Sequence, residues 1–245
     1  MATQVEGAAT APQRGYLADQ QFFTRYAIAL VLFIVFGFVQ FALRGLSNPV
    51  TAPPLVHLHG GLMVSWLGLL IVQNMLVHKG ELDLHRKLGW LAAAVVAAIA
   101  VVGCMVGINS IARHSVPPFF TDAYFLALTC IGAPLFAATV AWGVTLRRKT
   151  QWHRRAMLGS TFLLLEPALG RLLPMPFMVG WGEWVALLFQ LGFVWILARH
   201  DRKVLGAIHP ATKVIALVLI LGHVVIELAA RLPFTAALAT QVAAA

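Results

Sequence analysis

Seven long apolar runs leave this 245-residue chain few choices. They fall at about residues 22–44, 55–77, 88–112, 119–146, 154–173, 178–198 and 211–232, and a helix needs about 20 apolar residues to cross the hydrocarbon core of a bilayer. No water is available there, so each segment must satisfy its own backbone polar groups, which selects helices. The expected fold is an all-α integral membrane protein. It is a seven-transmembrane-helix bundle forming one domain over 22–245, behind a polar N-terminal tail at 1–21. Composition agrees: 60% of the residues are hydrophobic and 11% charged, where a soluble domain carries about 25% charged residues. So little chain lies outside the runs that these residues hold neither an ectodomain nor a nucleotide-binding domain, and soluble enzyme classes are excluded.

The net charge of +9 would suit nucleic acid, but its distribution argues for none. With the N-terminus inside and seven spans, fourteen of the 18 lysines and arginines fall on one side; only Arg44, Arg113, Arg171 and Arg231 fall on the other. That is a positive-inside pattern, and it expects the N-terminus in the cytoplasm and the C-terminus outside, in the cell inner (plasma) membrane. Residues 1–20 contain no short apolar stretch of the signal-peptide kind, so the first run is expected to remain as a helix. Cys104 and Cys130 lie inside runs and read as small buried hydrophobes. Gly103 and Gly107 have the spacing of close helix packing in lipid. Pro134 is expected to kink the fourth span. The fifth run carries Ser160, Thr161, Glu166, Pro167 and Arg171, too polar to face lipid all round.

The nine histidines carry the functional signal. Ionisable groups within a span are expensive and mark sites by default. His223 lies within the seventh run, and HVVIELAAR places His223, Glu227 and Arg231 along one helix face. Glu166, Arg171 and Glu183 fall at a similar depth toward the outer side. Together they form an expected polar cluster, either a ligand, metal or proton site or ion pairing that glues helices together. His57 and His59 open the second run. His59 continues a stripe through Met63, Trp66, Leu70 and Gln73, so His59 is expected to face inward. On the inner side His85 and His153 each begin a span, in LHRKLG and WHRRAM. They read either as interfacial histidines or as an axial-ligand pair for haem b, with Arg86, Arg154 or Arg155 near the propionates. His78, His200 and His209 read as ordinary interfacial residues.

The stretch HLHGGLMVSWLGLLIVQNMLVHKGELDLHRKLGW and the later WHRRAMLGSTFLLLEPALGRLL resemble an uncharacterised family of bacterial multi-pass membrane proteins. The likeness covers about residues 55–175 and rests on three motifs in order, HxHGxLM, DxHRxLG and HRR. More distantly, the chain is similar to the di-haem transmembrane b-type cytochromes that take electrons from ascorbate-like donors. Those carry histidine ligands on four consecutive helices, with one haem near each face. That resemblance implies His59, His85, His114 and His153 as ligands; the residues themselves leave the outer site to His59 with His114, to His59 with His223, or to a group other than haem. The sequence departs from the pattern in two places. His114 precedes Pro117-Pro118 instead of lying within a span, and His223 and Glu227 have no counterpart.

Four functions fit these residues. The first is a haem-binding electron-transfer protein or oxidoreductase, exchanging electrons with a quinone or another redox partner. The second is a non-haem site at the outer face for copper or another transition metal, using His57, His59, Met63, His223 and Glu227. The third is a proton-coupled carrier, and the fourth an accessory subunit of a larger membrane complex. A retinal protein is excluded, since Lys213 lies at the inner edge of the seventh run and supplies no mid-membrane Schiff base. No catalytic triad and no phosphate-binding loop is present.

Overall fold

A computed structural model of the chain describes residues 11–245, with side chains from Asp19 onward. The part of the expected tail at 1–10 and the side chain of Arg14 lie outside the described residues. All the regular structure among the described residues is helical: α1 (Ala11–Leu43), α2 (Pro54–Lys79), α3 (Leu82–Ala112), α4 (Asp122–Thr145), α5 (Thr150–Phe162), α6 (Glu166–Leu172), α7 (Gly182–Leu205), α8 (Pro210–Ala230) and α9 (Pro233–Ala243), with three short 3-10 turns. Six helices are long and apolar enough to cross a membrane: α1 over Asp19–Leu43, and α2, α3, α4, α7 and α8. The protein is thus a helical chain of multi-pass membrane character.

The fifth apolar run is not one helix. α5 gives way to a 3-10 turn at Leu163–Leu165 and restarts as α6. Pro167 stands at the start of α6 and has no N–H to return to the preceding turn. The Ser160 and Thr161 hydroxyls both donate back to the Met157 carbonyl, at 2.8 and 3.3 Å, a contact that loosens and bends helices. Gln190 of α7, fully buried, donates to the Phe162 carbonyl at 3.1 Å and so closes the break. Around the break α5 is buried along most of its length, including Arg154, Arg155, Leu158, Ser160, Thr161 and Phe162. α4 runs unbroken through Pro134.

α4 is the central helix, against α3, α5, α8 and α9, while α1 packs on α2 and α6, and α7 on α8. The core is built from Phe23, Leu30, Ile34, Trp66, Leu70, Ile99, Phe136, Phe162, Leu165, Leu197 and Leu219. The small-residue spacing on α3 meets its complement on α4: Gly103 faces Ala133, and Gly107 faces Thr129. A Cβ at Gly107 would overlap the Thr129 side chain. Gly107→Ala is therefore expected to part α3 from α4 and cost about 1–3 kcal/mol of stability. Thermal unfolding in detergent checks this, and an unchanged midpoint would contradict it. Cys104 and Cys130 are free thiols on these two helices. α9 was not legible as a separate element. It lies against α3 and α4, with Ala239 buried beside Ile111 and Leu126.

Polar contacts sort the helix ends into two groups. One end gathers Asp19, Asn74, His85, Gly143, His153, Asp201 and His209. It carries most of the lysines and arginines and is called the basic end below. The opposite end gathers Gln40, Tyr124, Glu166, Glu183 and His223.

Candidate functional site

At the basic end the last turns of α2 and α4 meet the first turns of α3 and α5. His85 comes from α3 and His153 from α5, each half-buried. Their ring centroids stand 6.3 Å apart and their planes cross at 89°. The close approach of α4 to α5 depends on Gly143, since a Cβ there would run into Ala156 and Met157. That approach puts the Gly143 carbonyl 2.8 Å from His153 Nδ1. A carbonyl only accepts, so Nδ1 carries the proton and Nε2 keeps its lone pair. The second histidine is positioned through its backbone: Gln73 Nε2 donates to the His85 carbonyl at 3.1 Å. His85 Nδ1 and Gln73 Oε1 are buried without a hydrogen-bond partner. Buried polar atoms normally find one, so the pair has room in its chemistry for a bound group.

The arginines of the WHRR motif do other work. Arg155 is fully buried and donates through Nε and Nη2 to Asp201 Oδ1, at 2.9 and 2.5 Å. Asp201 is also fully buried, and its other oxygen accepts from Thr212 Oγ1 at 2.6 Å and from the His209 N–H at 3.0 Å. One carboxylate thus ties α5, α7 and α8 together. Arg154 pairs with Asp19 and lies over the Phe23 ring. Asp19 also meets His200 Nε2 at 2.7 Å, and the His200 ring stacks on Phe22. Both guanidiniums, expected near propionates, are held by buried carboxylates. Arg86 is exposed and pairs with Asp83 at 3.0 Å. His209 caps α8, its Nδ1 accepting from the Ala211 N–H at 3.1 Å. Burial, and after it the charge of Arg155, hold the His209 imidazole below its ordinary pKa, as an accepting nitrogen requires.

At the opposite end, Glu166 opens α6, Glu183 lies in the first turn of α7, and His223 projects from α8. One ligand atom from each lies within 4.8 Å of the others. His223 Nε2 stands 4.0 Å from Glu166 Oε2, while Nδ1 is 3.2 Å from the Leu219 carbonyl. The Tyr124 hydroxyl faces Glu183.

The structure divides the remaining expected residues. Glu166, Glu183 and His223 come together as the cluster on these helices suggests, but Arg171 and Arg231 do not join them. Arg171 donates to the Pro167 carbonyl at 2.7 Å and lies over Phe38; Arg231, at the surface, pairs with Glu227 at 3.0 Å. His57 is exposed, whereas His59 points toward α3, its ring against Gly103, with Nδ1 buried and unpartnered. Met63, one turn on, packs against the core. His114 is exposed in the loop after α3, in the left-handed conformation (φ 51°). Among the described residues no hydrogen bond, ion pair or ring contact joins His59 to His114 or to His223. Of the expected metal ligands His57, His59, Met63, His223 and Glu227, His223 is the one that belongs to the close cluster with Glu166 and Glu183. Asp19, Asp201, Gln190 and Tyr124 were missed, and each acts through a partner distant in sequence.

The chain matches no protein-family model, no curated protein and no solved structure.

Proposed function

We propose that this is a membrane-embedded b-type haem electron-transfer protein, with His85 and His153 as axial ligands at the basic end. The observation that carries the reading is the 6.3 Å spacing and 89° crossing of the two rings. That separation would leave room for one metal ion between the rings, held by His85 and His153 at bonds of about 2 Å. The Gly143 carbonyl supports the same reading. It fixes the proton of His153 on Nδ1 and leaves Nε2 as the ligand atom, the usual arrangement behind a metal-bound histidine. A haem iron held by two histidines supplies one-electron transfer. The chain's own part is to hold the rings apart and to set them between four helix ends. Of the three neighbouring arginines, Arg86 alone is not locked in a buried pair, and it is the one left to meet a propionate.

The same reading gives the chain an orientation. The fourteen-to-four division of lysine and arginine supports a cytoplasmic place for the basic end, in an inner-membrane protein. The broken segment α5–α6 then makes the fifth of seven crossings, and α8 ends outside. Exposed Trp181 and Trp184 at one end and Trp90 and Trp195 at the other suit the two interfaces. The electron partner in this reading is a quinone or another redox partner. Absorption spectra of detergent-purified protein test the reading. A Soret band that shifts on reduction, with a sharpened visible band, is expected; reduction that leaves the spectrum unchanged would overturn electron transfer.

A further inference from the structure

The cluster at the opposite end is independent of the haem reading and has its own chemistry. Glu183 and His223 are 8% and 5% exposed, and Glu166 is close to buried. Three ligand-bearing atoms are orphaned there: Glu166 Oε1, Glu183 Oε2 and His223 Nε2 have no hydrogen-bond partner among the described residues. The tautomer of His223 is set by Leu219. A carbonyl only accepts, so Nδ1 carries the proton and the Nε2 lone pair faces the carboxylates. A lone pair aimed at two carboxylates out of water is an arrangement that lacks an electron acceptor.

Among the described residues no side-chain cation fills that role. Arg171 has turned to α1 and lies over Phe38. Arg231 is at the surface and neutralises Glu227. Two carboxylates buried this close repel strongly in a low-dielectric interior. A divalent ion cancels their charge and accepts the imidazole lone pair in one step.

We propose that Glu166, Glu183 and His223 bind a divalent transition-metal cation of the zinc type. The donor set of one imidazole nitrogen and two carboxylate oxygens suits such an ion, and three protein ligands leave a fourth position open. Zinc holds nitrogen and oxygen at about 2.0–2.2 Å, so its ligands stand about 3–3.6 Å apart. The three side chains, now within 4.8 Å of one another, draw in by about 1 Å around it. Leu219 and Tyr124 orient His223 and Glu183 from behind, as outer partners of a metal site do. The site sits where the chain breaks between α5 and α6, so the ion also staples α6 to α7 and α8.

Equilibrium dialysis of the full-length, detergent-purified protein against Zn(II), after stripping with a chelator, tests this. About one bound zinc per chain by elemental analysis is expected, with a higher unfolding midpoint than the stripped protein. Glu183→Gln and His223→Gln keep the side-chain size and are each expected to lower zinc uptake at least tenfold. The Soret absorbance of the same samples reports the His85–His153 end separately and is expected to be unchanged. That absorbance, with the size-exclusion profile, identifies any variant that fails to fold. Stripped wild-type protein that takes up no zinc would overturn the proposal and would indicate that a proton bridges the carboxylates. Zinc uptake that survives in a folded variant at both positions would also overturn it.

Discussion

Asp201→Ala is expected to destabilise the protein by about 3–5 kcal/mol, the cost of leaving a buried charge without its partner. Removal of this carboxylate strips Arg155 of both its charged contacts in a fully buried place. It also orphans the Thr212 hydroxyl and the His209 N–H at the start of α8. Asp201→Asn is expected to be milder, because an amide oxygen still accepts from α8 while the Arg155 charge goes unpaired. Arg155→Met combined with Asp201→Leu removes both charges and is expected to recover most of the loss, since apolar replacement of a buried pair is often near neutral. Thermal unfolding in one detergent across the series reads this out. A midpoint in Asp201→Ala equal to that of the wild type would mean that α5, α7 and α8 are held by packing alone.

His153→Ala is expected to have the largest effect on the cofactor. It removes the proposed ligand whose Nδ1 is held by the Gly143 carbonyl. One axial position then opens, so a low-spin bis-histidine spectrum gives way to a high-spin one, or haem is lost on purification. His85→Ala is expected to act alike from the other face. His59→Ala and His114→Ala are expected to leave the spectrum unchanged, because neither ring contacts the pair. Electron paramagnetic resonance of the oxidised proteins separates these outcomes. A low-spin signal that persists in both His85→Ala and His153→Ala would mean that the ligands are other residues.

What the sequence could reveal follows from the range of the forces involved. Hydrophobicity acts locally, so six long helices and their approximate ends could be read from the apolar runs alone. The Gly103 and Gly107 spacing could be read for the same reason. The break in the fifth run was only half legible. Ser160, Thr161 and Pro167 advertise it, but its closure depends on Gln190, 28 residues on. Charges misled most. Asp19 and Asp201 sit near span ends, where a charge normally marks orientation, yet each is buried against an arginine of α5. The spacing in WHRR shows that Arg154 and Arg155 lie beside His153; it does not show that both side chains turn toward carboxylates. The local pair Glu227–Arg231, one helical turn apart, was readable, while the meeting of Glu166, Glu183 and His223 needed three helices to converge.

The most direct measurement on the central claim is the haem content of purified protein from haem-replete cells, determined as the pyridine haemochrome and set against protein concentration. A content near one haem b per chain in the wild type is expected, falling to near zero when His85 and His153 are both alanine. Colourless, iron-free wild-type protein, or a double variant that keeps its haem, would contradict the assignment of these two histidines.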